Sequence, residues 1–361
     1  MISNLMTRPA TTLAATTRVR IAVVGLNFGR LVVEELCSTP ANKYIELVAV
    51  CDLDLARATR IANQYSIPAV SFDDLLNDPT IEAVGLFTGP VGRAKLIQKI
   101  IRAGKHVMTT KPFELDPAAA SAVLEEADQL GKIVHLNSPG PRLPDDLQQV
   151  RTWENEFALG RPIAFRREVW ASYREQANGT WYDDPKLCPV APIFRLGIYL
   201  INDMIRLFGP VEAVQVMHSR IFTGRPTPDN AQLTLQFANG VIGNIFASFC
   251  IDDGQHYANT MTLNYERGTI YRNVGPHENG TAHARSHMSV VARIGPDQTT
   301  TEYADLGDAS CGYQWHEFAR AIRFGRSPEH VSDETIVAGI RVISAMARSE
   351  QSGRIERVFS A

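Results

Sequence analysis

Between Val19 and about Asn137, short apolar runs alternate with stretches of helical spacing. The runs Val19–Val24, Leu47–Cys51, Ala83–Phe87, His106–Thr109 and Ile133–Leu136 are strand-sized. They are mostly apolar, as strands buried on both faces are. Leu55–Gln64, Val91–Arg102 and Pro117–Leu130 between them carry the helical period. This alternation predicts an α/β domain, a parallel sheet covered on both faces, over residues 18–139.

After the turn-rich junction Asn137-Ser138-Pro139-Gly140-Pro141 the period becomes two. Ile163–Trp170, Val211–Arg220, Gln232–Phe237, Val241–Phe249, Met261–Tyr265 and Ser289–Ile294 read as strands, and Asn239-Gly240 is a hairpin turn signal. Residues 140–361 therefore predict an α+β domain with a large, mainly antiparallel sheet. Ile193–Phe208 reads as a helix closed by Gly209-Pro210, and a helix from Ser332 to about Gln351 is expected to pack back on the body. Residues 1–17 are Thr- and Ala-rich without the apolar core of a signal peptide, and read as a tail.

At 361 residues the chain can fill two cores, and 45% hydrophobic with 21% charged residues is ordinary globular composition. A net charge of −3 gives no electrostatic case for nucleic acid or an anionic membrane. No apolar run approaches the length of a bilayer-spanning helix. Five cysteines without a C-x-x-C pair read as reduced thiols of a cytoplasmic protein.

The first strand runs into Gly25-Leu26-Asn27-Phe28-Gly29-Arg30 and then into helical spacing. Backbone N–H groups and the dipole at such a helix start suit a pyrophosphate. The second strand ends in Asp52, where a carboxylate can accept ribose hydroxyls and would repel a 2′-phosphate. This makes the first domain Rossmann-like and predicts NAD, with NADP disfavoured. The glycine fingerprint is incomplete, since Asn27 and Arg30 stand where a G-x-G-x-x-G would have glycine. Either Asn27 makes the turn in a left-handed conformation, or the loop is one residue shorter and ends at Gly29. At the end of the fourth strand, Thr110-Lys111-Pro112 puts an ammonium group beside the crevice, on a backbone with one torsion fixed by proline. The cofactor-site candidates are Gly25, Asn27, Phe28, Gly29, Asp52, Thr88, Lys111 and Pro112.

On the helix Ile193–Phe208, a step of roughly 100° per residue puts Arg195, Tyr199, Asn202 and Arg206 within an arc of about 60°. Asp203 falls at the edge of that arc and apolar residues fill the other side. Such a stripe suits the wall of a polar pocket.

Together, Gly25-Leu26-Asn27-Phe28-Gly29, Asp52, Gly104-Lys105-His106-Val107, Lys111-Pro112 and Gly197-Ile198-Tyr199-Leu200-Ile201-Asn202 resemble the Gfo/Idh/MocA oxidoreductases. The resemblance extends to Phe237-Ala238-Asn239-Gly240 and Phe318-Ala319-Arg320-Ala321-Ile322. It implies NAD(P)-dependent chemistry on sugars or polyols and homodimers or homotetramers built through the second domain's sheet. The family's catalytic lysine carries over onto Lys111, and its helix motif onto Tyr199 and Asn202, where the glucose–fructose oxidoreductase branch also has Tyr and Asn. Thr110 replaces the family's glutamate, and Arg195 stands where an acidic residue is often found.

The expected reaction is hydride transfer between a carbinol carbon and nicotinamide. Tyr199 is the expected general acid/base, with Lys111 lowering the phenol's pKa and stabilising alkoxide character. Asn202 and Asp203 are expected to contact substrate, and Arg195, helped by Arg142 or Arg206, an anionic group such as that of a sugar acid. Trp181 is the tryptophan expected at the substrate, whereas Trp153, Trp170 and Trp315 read as core. His277, Glu278, His283 and His287 sit around a loop insertion and are not expected to bind metal. An NAD-dependent glycosidase of the same fold and a non-catalytic NAD-binding regulator remain the alternative functions.

Overall fold

The computed structural model describes residues 18–254, 257–275, 286–307 and 312–359. Strands β1 (Val19–Val24), β2 (Ile45–Cys51), β3 (Ala83–Leu86), β4 (His106–Thr109) and β5 (Val134–Leu136) form a parallel sheet in the order β2-β1-β3-β4-β5. Their apolar runs are buried because helices cover both faces: α1 (Leu26–Leu36), α2 (Leu55–Tyr65), α3 (Phe72–Asn77), α4 (Arg93–Arg102) and α5 (Pro117–Gln129). Asp54, Ser71 and Asp116 cap α2, α3 and α5 with their side chains. The helices that follow β1 and β3 are different. Both α1 and α4 start after a left-handed glycine, Gly25 or Gly92, with no side-chain cap. Their strands flank the point where strand order reverses, the crevice in which such sheets bind ligands.

The second sheet has nine strands: β6 (Pro162–Ala171), β7 (Val211–Ser219), β8 (Asn230–Phe237), β9 (Ile242–Ser248), β10 (Tyr257–Tyr265), β11 (Gly268–Arg272), β12 (Ser286–Gly295), β13 (Gln298–Leu306) and β14 (Glu356–Arg357). Its order is β13-β12-β11-β10-β6-β9-β8-β7-β14, antiparallel except where β6 meets β9. Helices α6 (Asp145–Glu156), α7 (Ile198–Phe208) and part of α9 (Asp333–Ser352) fill its inner face around Phe165, Phe208 and Phe237.

The first domain's core draws in later chain. Trp315 and Phe318 of α8 (Trp315–Phe324) pack beside Met108 and Ile133, and Ile336, Val337 and Ile340 of α9 beside Leu124 and Phe113. α9 thus contributes residues to both cores. Trp153 and Trp315 are core residues, whereas Trp170 shares the outer face of β6 with Glu168. Among the described residues no helix is long and apolar enough to cross a membrane.

His106 at the start of β4 accepts the Ile133 backbone N–H on Nδ1 at 3.0 Å. Burial, reinforced by Lys132 and Arg323 and opposed by Glu82, lowers its pKa from 6.5 to about 4. Between those values the unfolded chain binds a proton that the folded chain refuses, so stability rises with pH there. The urea midpoint should therefore fall as pH is lowered from 7 toward 4, and His106→Gln should flatten the fall. His135, lowered in the same direction, should leave a residual slope. An unchanged pH profile in His106→Gln would show that this histidine does not couple protons to folding.

Candidate active site

A cleft of about 1490 Å³ runs from the β1–α1 turn to α7. At one end Gly25 turns left-handed at φ 86°, and a Cβ there would sit 2.9 Å from the Phe87 carbonyl carbon. Only glycine fits. Gly29 is buried where a Cβ would meet Val23 at 3.2 Å and Phe87 at 3.3 Å, so its role is close packing of α1 on the sheet. Asn27 lies inside α1 and lines the cleft with Phe28, so it does not make the turn. Thr88 and Pro112 line the same stretch.

Asp52 sits at the end of β2 as expected, but its carboxylate is engaged. Oδ2 accepts the Leu26 N–H at 2.6 Å, Oδ1 the Asp54 N–H at 2.8 Å, and Arg57 Nη1 lies 3.3 Å from both. Arg57, Arg30 and Arg60 then line an adjoining alcove with Glu34. The negative charge meant to exclude a 2′-phosphate has a cation beside it.

Behind the cleft wall, one buried carboxamide joins Thr110, Lys111 and Tyr199, which line the cleft. Asn137, just past β5, accepts the Lys111 N–H at 3.1 Å and the Thr110 hydroxyl at 3.3 Å on Oδ1. Its Nδ2 donates to the Tyr199 phenol oxygen at 3.0 Å. Lys111 Nζ lies 4.0 Å from the centre of the Tyr199 ring and donates to the Arg195 carbonyl. That carbonyl belongs to a π-helical turn, Ile193–Gly197, which precedes α7. Such turns have an extra residue and are frequent at functional sites. The ammonium therefore meets the ring face, while the phenol oxygen faces Asn137.

The rest of the predicted stripe divides, because tertiary partners take its later members away from the cleft. Arg195 and Trp181 line the cleft, with Trp181 lying against Gly89 of the first domain. Asn202 does not line it: 2% exposed, it donates to Ser138 Oγ at 3.0 Å and abuts Gly339 of α9. Asp203 pairs with the buried Arg167 at 3.3 Å, and burial pushes its carboxyl up to about 6. Arg206 donates to the carbonyls of Gly140 and Arg142, and Arg142 pairs with Glu317. None of these four faces the cleft.

Arg195 itself arrives paired. Its guanidinium takes Glu175 in a two-pronged bond of 2.5 and 2.9 Å, stacked among Tyr182, Phe249 and Tyr173. Burial pushes Glu175 up, but Arg195 and Arg225 outweigh it and hold the carboxyl below its usual range. Sequence reading missed Asn137 and Glu175, which are identified only by their distant partners, and Arg57, which pairs locally with Asp52 and Asp54. His277, Glu278 and His283 lie outside the described residues, and His287 pairs with Asp305.

Comparison with known proteins fits this geometry. Residues 19–138 match the oxidoreductase family with an NAD-binding Rossmann fold, and residues 147–271 the GFO/IDH/MocA C-terminal domain. The chain belongs to the Gfo/Idh/MocA oxidoreductase family. Within it, the chain is 23% identical over 211 residues to inositol 2-dehydrogenase/D-chiro-inositol 3-dehydrogenase of Lactiplantibacillus plantarum, covering 56% of this chain and 59% of that protein. It is 24% identical over 227 residues to trans-1,2-dihydrobenzene-1,2-diol dehydrogenase of Bos taurus, covering 62% and 64%. The matches thus span about three-fifths of these relatives' length. In fold it resembles a putative NADPH-dependent oxidoreductase from Desulfitobacterium hafniense, with TM-score 0.78, 17% identity and coverage of 94% and 98%. It also resembles aldose-aldose oxidoreductase from Caulobacter crescentus, with TM-score 0.73, 19% identity and coverage of 94% and 100%.

The Gfo/Idh/MocA cleft of this chain gives one stability prediction. Glu175→Ala leaves the Arg195 charge enclosed by rings, and should cost roughly 2 kcal/mol, less than for a fully buried pair. Denaturant unfolding of Glu175→Ala against Glu175→Ala/Arg195→Met checks it, since the double variant should recover part of the loss. Equal stability of wild type and Glu175→Ala would show that the pair contributes nothing.

Proposed function

We propose that this protein is an NAD(P)-dependent oxidoreductase that interconverts a secondary alcohol and a carbonyl on a neutral sugar or cyclic polyol. The observation that carries this reading is the Lys111–Tyr199 pair, held from behind by Asn137 and lining the same cleft as Gly25 and Asp52. The left-handed Gly25 and the uncapped start of α1 fit a dinucleotide pyrophosphate. Bound nicotinamide would supply the hydride acceptor or donor.

The chain's own groups would manage the proton and the charge. In the oxidative direction, Tyr199 would react as the phenolate, taking the substrate hydroxyl proton on Oη and becoming a phenol as the carbinol carbon gives up its hydride and becomes a carbonyl. Lys111 Nζ would turn from the Arg195 carbonyl to the substrate oxygen, where its positive charge favours alkoxide character. Asn137 holds the phenol oxygen in place by its Nδ2–H bond. Because Glu175 balances Arg195, the guanidinium is better suited to orient hydroxyls beside Tyr182 and Tyr173 than to bind a carboxylate. This revises the expectation of a sugar-acid substrate. The names of the matched dehydrogenases, which specify an inositol and a cyclic diol, support the neutral class.

For the cofactor, Asp52 favours NAD, and Arg57 reduces the penalty for the 2′-phosphate of NADP. For assembly, the outer face of the nine-stranded sheet carries Trp170, Phe246, Tyr271 and Tyr303 among Thr and Gln side chains, and we propose it as the surface that joins protomers into a homodimer or homotetramer.

The deciding experiment follows nicotinamide absorbance with NAD and NADP across inositols, aldoses, cyclic diols and sugar acids. A signal with neutral polyols should fall about 10²–10⁴-fold in Tyr199→Phe, and about 10²–10³-fold in Lys111→Met. Activity confined to sugar acids would overturn the substrate class. Release of aglycone from glycosides without net absorbance change would replace the dehydrogenase with a glycosidase. By calorimetry, Arg57→Ala should weaken NADP binding relative to NAD by about tenfold, equivalent to 1.4 kcal/mol. An unchanged NADP/NAD ratio would remove Arg57 from cofactor selection.

A further inference from the structure

Arg93 is the most deeply enclosed cation of the first domain, 2% exposed, in the first turn of α4. No carboxylate touches its guanidinium: the nearby Glu114 instead accepts the backbone N–H groups of Ala94 at 3.0 Å and Leu115 at 2.8 Å. All the close bonds that Arg93 makes go to main-chain carbonyls. Nη1 donates to Thr110 O at 2.6 Å and Pro112 O at 3.1 Å, with the Thr109 hydroxyl farther off at 3.5 Å. Nη2 donates to Thr88 O. Nε has no hydrogen-bond partner among the described residues.

These acceptors are not scattered. Thr110 and Pro112 are the residues on either side of Lys111, and Thr88 lies in the loop after the neighbouring strand β3. With the Lys111 N–H bound to Asn137, the lysine's own N–H and the carbonyls of both its neighbours have fixed partners. We propose that Arg93 is the positioning residue for Lys111: one buried fork grips the carbonyls before and after it and ties that loop to the loop of Thr88. The fork geometry matters. A planar guanidinium presents several N–H groups in fixed directions, whereas an ammonium is a single point that cannot span three carbonyls. Burial disfavours the charged form and lowers the Arg93 pKa to about 10, and at neutral pH the group remains a cation. A desolvated charge held only by carbonyl dipoles is costly to keep. Its retention is explained if the carbonyls it orders carry a group whose placement matters.

The kinetic consequence rests on the reading of Lys111 as part of a dehydrogenase, but the geometric one does not. The test uses full-length protein labelled with 13C at the lysine ε position. The Lys111 signal, assigned by its loss in Lys111→Arg, should be displaced upfield by the Tyr199 ring 4.0 Å away. In Arg93→Lys that displacement should collapse, while the melting transition stays single and cooperative. With a responsive substrate, kcat should fall about 10²-fold, the scale of a misplacement near 1 Å, with KM little changed. Where Arg93→Lys does not fold, Arg93→Ala is read with and without millimolar methylguanidinium, which should restore the signal. A Lys111 signal that keeps its wild-type position in a folded Arg93 variant overturns the proposal. A wild-type protein that shows no dehydrogenase activity would overturn the function and leave this spectral result standing on its own.

Discussion

The carboxamide of Asn137 is the interaction on which the site depends, because it is where the two sheets' worth of structure meet in hydrogen-bond range. Its Oδ1 faces the Lys111 loop at the end of β4, and its Nδ2 faces the Tyr199 phenol on α7. An amide has a fixed plane, with acceptor on one side and donor on the other. It can therefore set the lysine backbone and the phenol oxygen relative to each other more rigidly than packing alone. Around it, Ser138 takes Asn202 and so fixes α7, while α9 passes against Asn202 and enters both cores. The cleft has its shape because these contacts leave α7 little freedom.

Much of the architecture was legible in the chain because it follows from periodicity. Strands buried on both faces are largely apolar, and those from Val19 to Leu136 are, with few polar residues among them. The alternation beyond residue 160 reflects a sheet with one covered face. The nucleotide turn was legible in part: Gly25 and Gly29 had physical reasons to be glycine, but Asn27 was assigned a backbone role that Gly25 already fills. The helical wheel failed at Asn202 because Gly339 opens a space on α9 into which the carboxamide fits. Asparagine next to a missing side chain becomes a packing residue.

The partners were the least legible layer. Lys111 meets Arg195 across 84 residues of chain and Asn137 meets Tyr199 across 62, so no local spacing announces either. Arg93 illustrates the point most sharply. By its place in the first turn of an amphipathic helix it looks like any solvated arginine, and only the tertiary fold turns its fork toward Thr110 and Pro112.

The charges of the substrate side follow one rule, and that rule bears on what the cleft can hold. Arg195 and Arg225 share Glu175, Arg225 also reaches Asp183, Arg272 has Asp146, and Arg57 at the cofactor end has Asp52. A carboxylate ligand would have to displace Glu175 from Arg195, exchanging one short ion pair for another and leaving an anion enclosed by Tyr182, Tyr173 and Phe249. A neutral hydroxyl asks for no such exchange: it can donate to Glu175 or accept from the guanidinium edge with the pair intact. Under the proposed function, Lys111 would add a cation where negative charge develops in the reaction, so a resting charge on the substrate is not needed there.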